Sequence, residues 1–127
     1  MISEANKKIV SAENAGSDPL VANRETAQDW ELFEVVNNSD QTISLKSKIN
    51  GKYVTADVNI GGKLVARGES IQLWEKFRKE QLADGTIALF ALANNKYVTV
   101  DLDNGAGLVA NRDKVGVAWE AFWLITQ

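Results

Sequence analysis

The sequence has no cysteine and no histidine among its 127 residues. Without cysteine there are no disulfides, thiolate metal sites or thiol nucleophiles, and the redox compartment stays open. Without histidine the commonest general base and metal ligand are gone, along with the ordinary serine and cysteine triads, so hydrolytic chemistry would fall to carboxylates. Positive charge is also scarce. Fourteen Lys and Arg against 17 Asp and Glu leave a net charge of −3, which gives no cationic surface for a phosphate backbone or an anionic bilayer; neither nucleic acid nor membrane is expected as a partner. No apolar run approaches the ~18 residues of a membrane span, and no basic-then-apolar leader opens the chain. What is present, 45% hydrophobic and 24% charged residues, is the composition of a folded domain, and the length suits a single one over 1–127.

The chain repeats itself. Thr42 to Asp57, TISLKSKINGKYVTAD, aligns without gaps on Thr86 to Asp101, TIALFALANNKYVTVD, with nine identities in sixteen at an offset of 44, and Met1 to Glu13 fits the same frame. Leu20-Val-Ala-Asn-Arg24 recurs as Leu64-Val-Ala-Arg67 and Leu108-Val-Ala-Asn-Arg112. Each copy closes on one aromatic phrase: Trp30-Glu-Leu-Phe33, Trp74-Glu-Lys-Phe77 and Trp119-Glu-Ala-Phe122. The units run approximately 1–41, 42–85 and 86–127.

Within a unit the apolar residues alternate with period two, as at Ile43 and Leu45, Val54 and Ala56, Leu64 and Ala66, and Phe77. That pattern predicts four short strands, separated by turn residues such as Asn50-Gly51 and Gly61-Gly62. An open stack of three such units would leave two sheet edges exposed, whereas twelve strands can close into a threefold barrel without edges. The expected core positions are Val10, Val54 and Val98; Leu20, Leu64 and Leu108; and Phe33, Phe77 and Phe122. Burial of each Phe or Leu contributes roughly 1.5 to 3 kcal/mol.

The phrases Lys52 to Asp57 and Lys96 to Asp101, the three Leu-Val-Ala stretches and the three Trp-Glu-x-Phe phrases, in that order, resemble the fascin-like β-trefoils along the whole chain. The nearest resemblance is to the bacterial members, which occur as accessory modules of secreted glycoside hydrolases and are taken to bind carbohydrate. It implies an all-β trefoil, a noncatalytic domain that binds a polysaccharide or oligosaccharide as a monomer, and an extracellular location within a secreted parent. The alternatives are a protein-interaction trefoil, either cytoskeletal and actin-binding like the fascins or an inhibitor, and an enzyme using an acid pair. Animal fascins carry several tandem trefoils, and the histidines of the histidine-rich actin-binding trefoils are absent here. Gln28-Asp-Trp30 and Gln72-Leu-Trp74 also resemble the Gln-x-Trp phrase of ricin-type lectins, but the third copy reads Val117-Ala-Trp119.

Sugars are held by aromatic faces and by carboxylate and amide groups that meet hydroxyls. An acid follows the second strand of each unit, Glu13, Asp57 or Asp101, and a polar loop follows it, with Asn14 and Asp18, with Asn59, or with Asp103 and Asn104. These loops are the expected sugar pockets, the third being the richest; the alternative is that the same groups only make turn hydrogen bonds. Arg24, Arg67 and Arg112 are expected to pair with carboxylates such as Glu31, Glu75 and Glu120, and the three tryptophans to pack. Phe90 and Trp123 stand where the second unit has Lys46 and Arg78. Strand alternation turns both outward, and pairing of a unit's first and last strands would set them side by side as an apolar platform for a glycan chain or a neighbouring protein; the alternative is contact with a flanking domain or packing under a neighbouring loop. Asp101, Asp103 and Asn104 match no dedicated calcium loop, and no cofactor is expected.

Overall fold

A computed structural model describes residues 1–26, 28–82, 84–116 and 118–124, with the backbone alone at Asp29. The described residues form twelve strands: β1 (Ile2–Ser3), β2 (Ile9–Ala12), β3 (Leu20–Arg24), β4 (Phe33–Asn37), β5 (Ile43–Ser47), β6 (Tyr53–Asp57), β7 (Lys63–Gly68), β8 (Phe77–Gln81), β9 (Ile87–Ala91), β10 (Lys96–Asp101), β11 (Gly107–Arg112) and β12 (Phe122–Trp123). The only helices among them are single 3₁₀ turns, as the period-two patterning requires.

Two kinds of pairing build the sheet. The second and third strands of each copy form hairpins, β2–β3, β6–β7 and β10–β11. The last strand of one copy pairs with the first of the next, as β4–β5, β8–β9 and β12–β1. Further contacts, Gly107 with Val21 and Val109 with Lys63, tie the hairpins together. The pairings β10–β9 and β11–β7 close the path, giving an all-β protein with a closed barrel.

All nine expected core residues are buried, with Val10, Val54, Val98, Leu20, Leu64, Leu108, Phe77 and Phe122 fully enclosed. Met1, Leu45 and Leu89, again 44 residues apart, join the same core. Beneath them the inward positions of β1 and β5 hold Ser3 and Ser47, both at 0% exposure and, among the described residues, buried hydroxyls without a hydrogen-bond partner; β9 has Ala91 there.

Polar side chains repeat with the strands. Asn6, Asn50 and Asn94 donate from Nδ2 to the carbonyls of Ala22, Ala66 and Ala110 at 2.9, 2.9 and 2.8 Å. Their Oδ1 atoms accept from the amides of Lys8, Lys52 and Lys96. One amide thus pins the turn before each hairpin to the hairpin's far strand. A second device is the glutamate of Trp-Glu-x-Phe, which is 3%, 7% and 3% exposed at Glu31, Glu75 and Glu120. Each accepts a backbone N–H across its own 3₁₀ turn, from Gln28, Gln72 and Gly116. Glu75 and Glu120 also accept from Thr55 and Thr99 at 2.7 Å, which fastens the turn to β6 and β10. Gly62, at φ +88, is needed for close approach: a Cβ there would lie 2.5 Å from the Ala110 carbonyl oxygen, next to the bond that the Ala110 amide makes to Gly62.

Candidate functional site

Each hairpin carries a β-bulge, marked by register shifts at Ile9/Val10, Tyr53/Val54 and Tyr97/Val98. The extra residue on the third strand is Asn23, Arg67 or Asn111, and a bulge re-aims its side chain. In the first unit Asn23 Nδ2 donates to Glu13 Oε1 at 3.0 Å, while Arg24 and Ser11 reach Glu13 Oε2 at 2.7 and 2.9 Å. In the second the Arg67 guanidinium lies 2.6 Å from Asp57 Oδ2, and Asp57 is only 3% exposed. In the third Asn111 Oδ1 accepts from its neighbour Arg112, as Asn23 Oδ1 does from Arg24. Asp101 is left with the amide of Asp103 at 3.2 Å and Asn104 Nδ2 at 2.8 Å. Among the described residues it makes no ion pair, and two such donors leave much of a carboxylate's acceptor capacity open.

Asp101 opens onto a cleft of about 650 Å³ where the three units meet. Glu13 and Asp18 of the first unit, Asp101, Asn104 and Asn111 of the third, and Lys63 of the second supply its polar lining. Pro19, Val21, Ile60, Leu108 and Val109 supply the apolar part. The fold therefore brings Glu13, Asp101 and Asn104 together, as parts of one cleft instead of two separate loops. Asp57 does not join them. It caps the turn Val58–Ile60 by accepting the Asn59 amide, and Arg67 occupies its other oxygen. Asn59, Asp103 and Asn14 are exposed outside the cleft lining. Asn14 has left-handed backbone, at φ 54, inside the turn Glu13–Gly16.

The expected arginine pairings hold for two copies in three. Arg24 Nε lies 3.6 Å from Glu31 and Arg112 Nε 3.9 Å from Glu120. Arg67 takes Asp57, not Glu75, because it sits one place earlier, in the bulge, where Asn23 and Asn111 stand in the other copies. The tryptophans are half-buried, and each lines a recess, of about 470 Å³ at Trp30, 300 Å³ at Trp74 and 550 Å³ at Trp119. The Arg24 guanidinium lies 5.8 Å from the Trp30 ring centre. Val117, the departure from the Gln-x-Trp phrase, falls outside the described residues.

Phe90 and Trp123 do not form a platform. Phe122 is opposite Ile87, so Trp123 lies beyond the start of β9, whereas Phe90 sits near its other end, opposite Arg78. The Arg78 guanidinium covers the Phe90 ring at 4.3 Å, and Tyr97 meets it edge-on at 5.0 Å. Glu80 then joins Arg78 and the Tyr97 hydroxyl, closing the cluster. Burial pushes that hydroxyl's pKa up, and its bond to Glu80 adds to the rise. Trp123, 37% exposed, donates from Nε1 to Glu4 at 2.9 Å and packs on Gly85. Lys7 and, after it, Trp123 hold Glu4 below its ordinary range.

A model of the FRG1-like domain matches residues 5–120. The chain belongs to the FRG1-like domain family. This is a β-trefoil family, so the trefoil resemblance read from the repeated phrases agrees with it. Solved structures match this FRG1-like domain in fold. ThreeFoil, a designed 3-fold symmetric protein, superposes with a TM-score of 0.82 at 19% identity, covering 94% of this chain and 91% of that one. The GlcNAcα1-4Gal releasing endo-β-galactosidase from Clostridium perfringens gives 0.79 at 12% identity, with 94% of this chain against 30% of the enzyme. A mosquitocidal holotoxin gives 0.80 at 15%, with 94% against 15%. The match is thus to one part of each of those larger chains. No curated protein matches the sequence. Among the described residues no helix of this FRG1-like domain is long and apolar enough to cross a membrane, and no three acids are grouped to hold a metal.

Proposed function

We propose that this chain is a noncatalytic carbohydrate-binding domain: one trefoil of three units, 1–41, 42–85 and 86–127, that holds a polysaccharide for a secreted protein. The observation that carries this reading is the cleft at the meeting of the three units, where Asp101, Asn104 and Asn111 face apolar side chains. A carboxylate beside two amides accepts and donates to neighbouring hydroxyls at once, and the aliphatic wall contacts the C–H surface of a sugar ring. The fold likeness to part of an enzyme named for releasing GlcNAcα1-4Gal lends support, as does the resemblance to accessory modules of glycoside hydrolases. Glycosidic hydrolysis by a carboxylate pair needs one carboxyl kept protonated or poised as a nucleophile. In the cleft Glu13 is bound by Arg24 and Asn23 and Asp101 by Asn104, an arrangement suited to holding hydroxyls. The domain acts as an extracellular monomer without a cofactor, and the net charge of −3 argues against nucleic acid as its ligand.

The test is affinity electrophoresis of the protein through galactan, mannan, xylan and β-glucan, with a GlcNAcα1-4Gal-terminated glycan as a soluble competitor. Retardation by one glycan, reduced about tenfold in affinity by Asp101→Ala, is the expected outcome. Retardation by none would sink the carbohydrate reading. It would leave a protein-interaction trefoil, which the exposed Leu73, Ile60 and Val58, at 55%, 44% and 41%, favour as the second reading.

A further inference from the structure

The three units present an acid at one place, Glu13, Asp57 and Asp101, beside the same bulge, yet among the described residues only Asp101 makes no ion pair. Arg67 closes Asp57 at 2.6 Å with the carboxylate already buried. Arg24 and Asn23 close Glu13 from two sides. At the third bulge Asn111 accepts from Arg112 as Asn23 does from Arg24, and the shorter Asp101, without an ion pair among the described residues, lines the cleft. An arginine aimed from a bulge at a carboxylate makes a charge-assisted bond that a neutral hydroxyl cannot displace without stranding both charges. An asparagine there reaches the longer Glu13 in the first unit, but beside the shorter Asp101 it leaves the carboxylate without a charged partner and adds an amide donor of its own.

From this we infer that the domain is monovalent, and that the pairing of a short acid, Asp101, with an asparagine at the bulge, Asn111, determines it. The inference rests on the carbohydrate reading of the cleft and deepens it: the repeat supplies three related positions, and the acid and the bulge residue together decide which of them takes a saccharide. Arginine at the bulge, or a glutamate long enough to reach the bulge amide and the arginine after it, locks the acid into the scaffold, whereas an aspartate facing an asparagine is left to the ligand. Asn111 is a specificity residue that acts at the cleft surface, and Arg67 is its closed counterpart in the second unit.

The experiment is a titration of the ¹⁵N-labelled protein with the saccharide retained in electrophoresis, following amide shifts in the parent, Asn111→Arg and Asn111→Ala. The parent should give one site per chain, with the perturbed amides around Asp101, Asn104 and Gly107. Asn111→Arg should weaken binding at least tenfold while its spectrum away from the cleft stays that of the parent. Asn111→Ala, which removes the amide without adding a lock, should weaken binding several-fold less. Two or three equivalent sites in the parent, or parent-like affinity in Asn111→Arg, would overturn the inference and leave the carbohydrate reading standing. A parent that responds to no saccharide would overturn both.

Discussion

The glutamate of Trp-Glu-x-Phe gives the clearest energetic test of the scaffold. Glu75 is 7% exposed and accepts the Gln72 amide at 3.0 Å and the Thr55 hydroxyl at 2.7 Å, joining a surface turn to β6. Glu75→Ala removes the acceptor of both bonds and leaves two donors facing a void. Hydrogen bonds to an ionised acceptor are each worth about 1.5 to 3 kcal/mol net, so the loss should be about 3 kcal/mol or more, out of a total stability on the order of 5 to 15 kcal/mol. Thr55→Val deletes one of the two bonds and should cost about 1 to 2 kcal/mol in the parent. In the Glu75→Ala background it should cost much less, because the partner is already gone. Leu73→Ala, in the same turn but 55% exposed, controls for a surface change and should stay within about 0.5 kcal/mol. The assay is urea unfolding followed by tryptophan fluorescence, with the midpoint compared at constant slope. A Glu75→Ala loss below about 1 kcal/mol, or full additivity with Thr55→Val, would refute the assignment of this residue as the joint between turn and barrel.

Two further outcomes follow from the polar groups. Ser47→Ala should raise stability by about 1 kcal/mol in the same assay, since it removes a buried hydroxyl without a partner and copies the alanine at the matching place in β9; a lower midpoint would mean that the hydroxyl is bonded after all. On the acid side, Lys76 and then Thr42 hold Asp40 well below the ordinary carboxylate range, and Lys96 lowers Asp113. A depressed folded value contributes stability above the unfolded value of about 3.9, and the contribution is lost as pH falls through the folded value. The urea midpoint should therefore decline from about pH 5 downward, less steeply in Asp40→Asn, and salt should shrink that difference because these groups are exposed.

Most of the fold could be read from the sequence, because the repeat presents each core position three times. Val10, Val54 and Val98 share one offset, alternate with polar residues and prove fully buried. The turns were marked by Asn50-Gly51 and Gly61-Gly62, whose three glycines take the left-handed backbone found there. The site was less legible, for a physical reason. Asp57 and Asp101 occupy the same place in phrases that differ only at Ala56 and Val100, and what separates them is a residue ten positions further on, across the hairpin. The bulge lets Arg67 reach Asp57, whereas the asparagine in the same place of the third unit brings no charge to Asp101. The substitution of Arg67 for an asparagine is visible when the three Leu-Val-Ala phrases are aligned, but its meaning depends on knowing that the residue points at the acid. The Phe90 and Trp123 pairing failed for a related reason. Alternation gives the face on which a side chain lies and says nothing of its distance along the strand, which the Phe122–Ile87 register sets.

The seam between β12 and β1 is held by the same antiparallel pairing that joins β4 to β5 and β8 to β9, with Ile2 opposite Trp123 and Ser3 opposite Phe122. At the other two seams a short loop carries the chain across; at this one only hydrogen bonds and packed side chains do. The three seams are therefore interchangeable in principle, and the break in the covalent ring could be moved to the turn at Asn38 to Gln41 without changing a single strand neighbour. Such a relocation would trade one loop-closure entropy for another of similar size. In a ring built this way the order of the strands around the barrel is what the pairing holds.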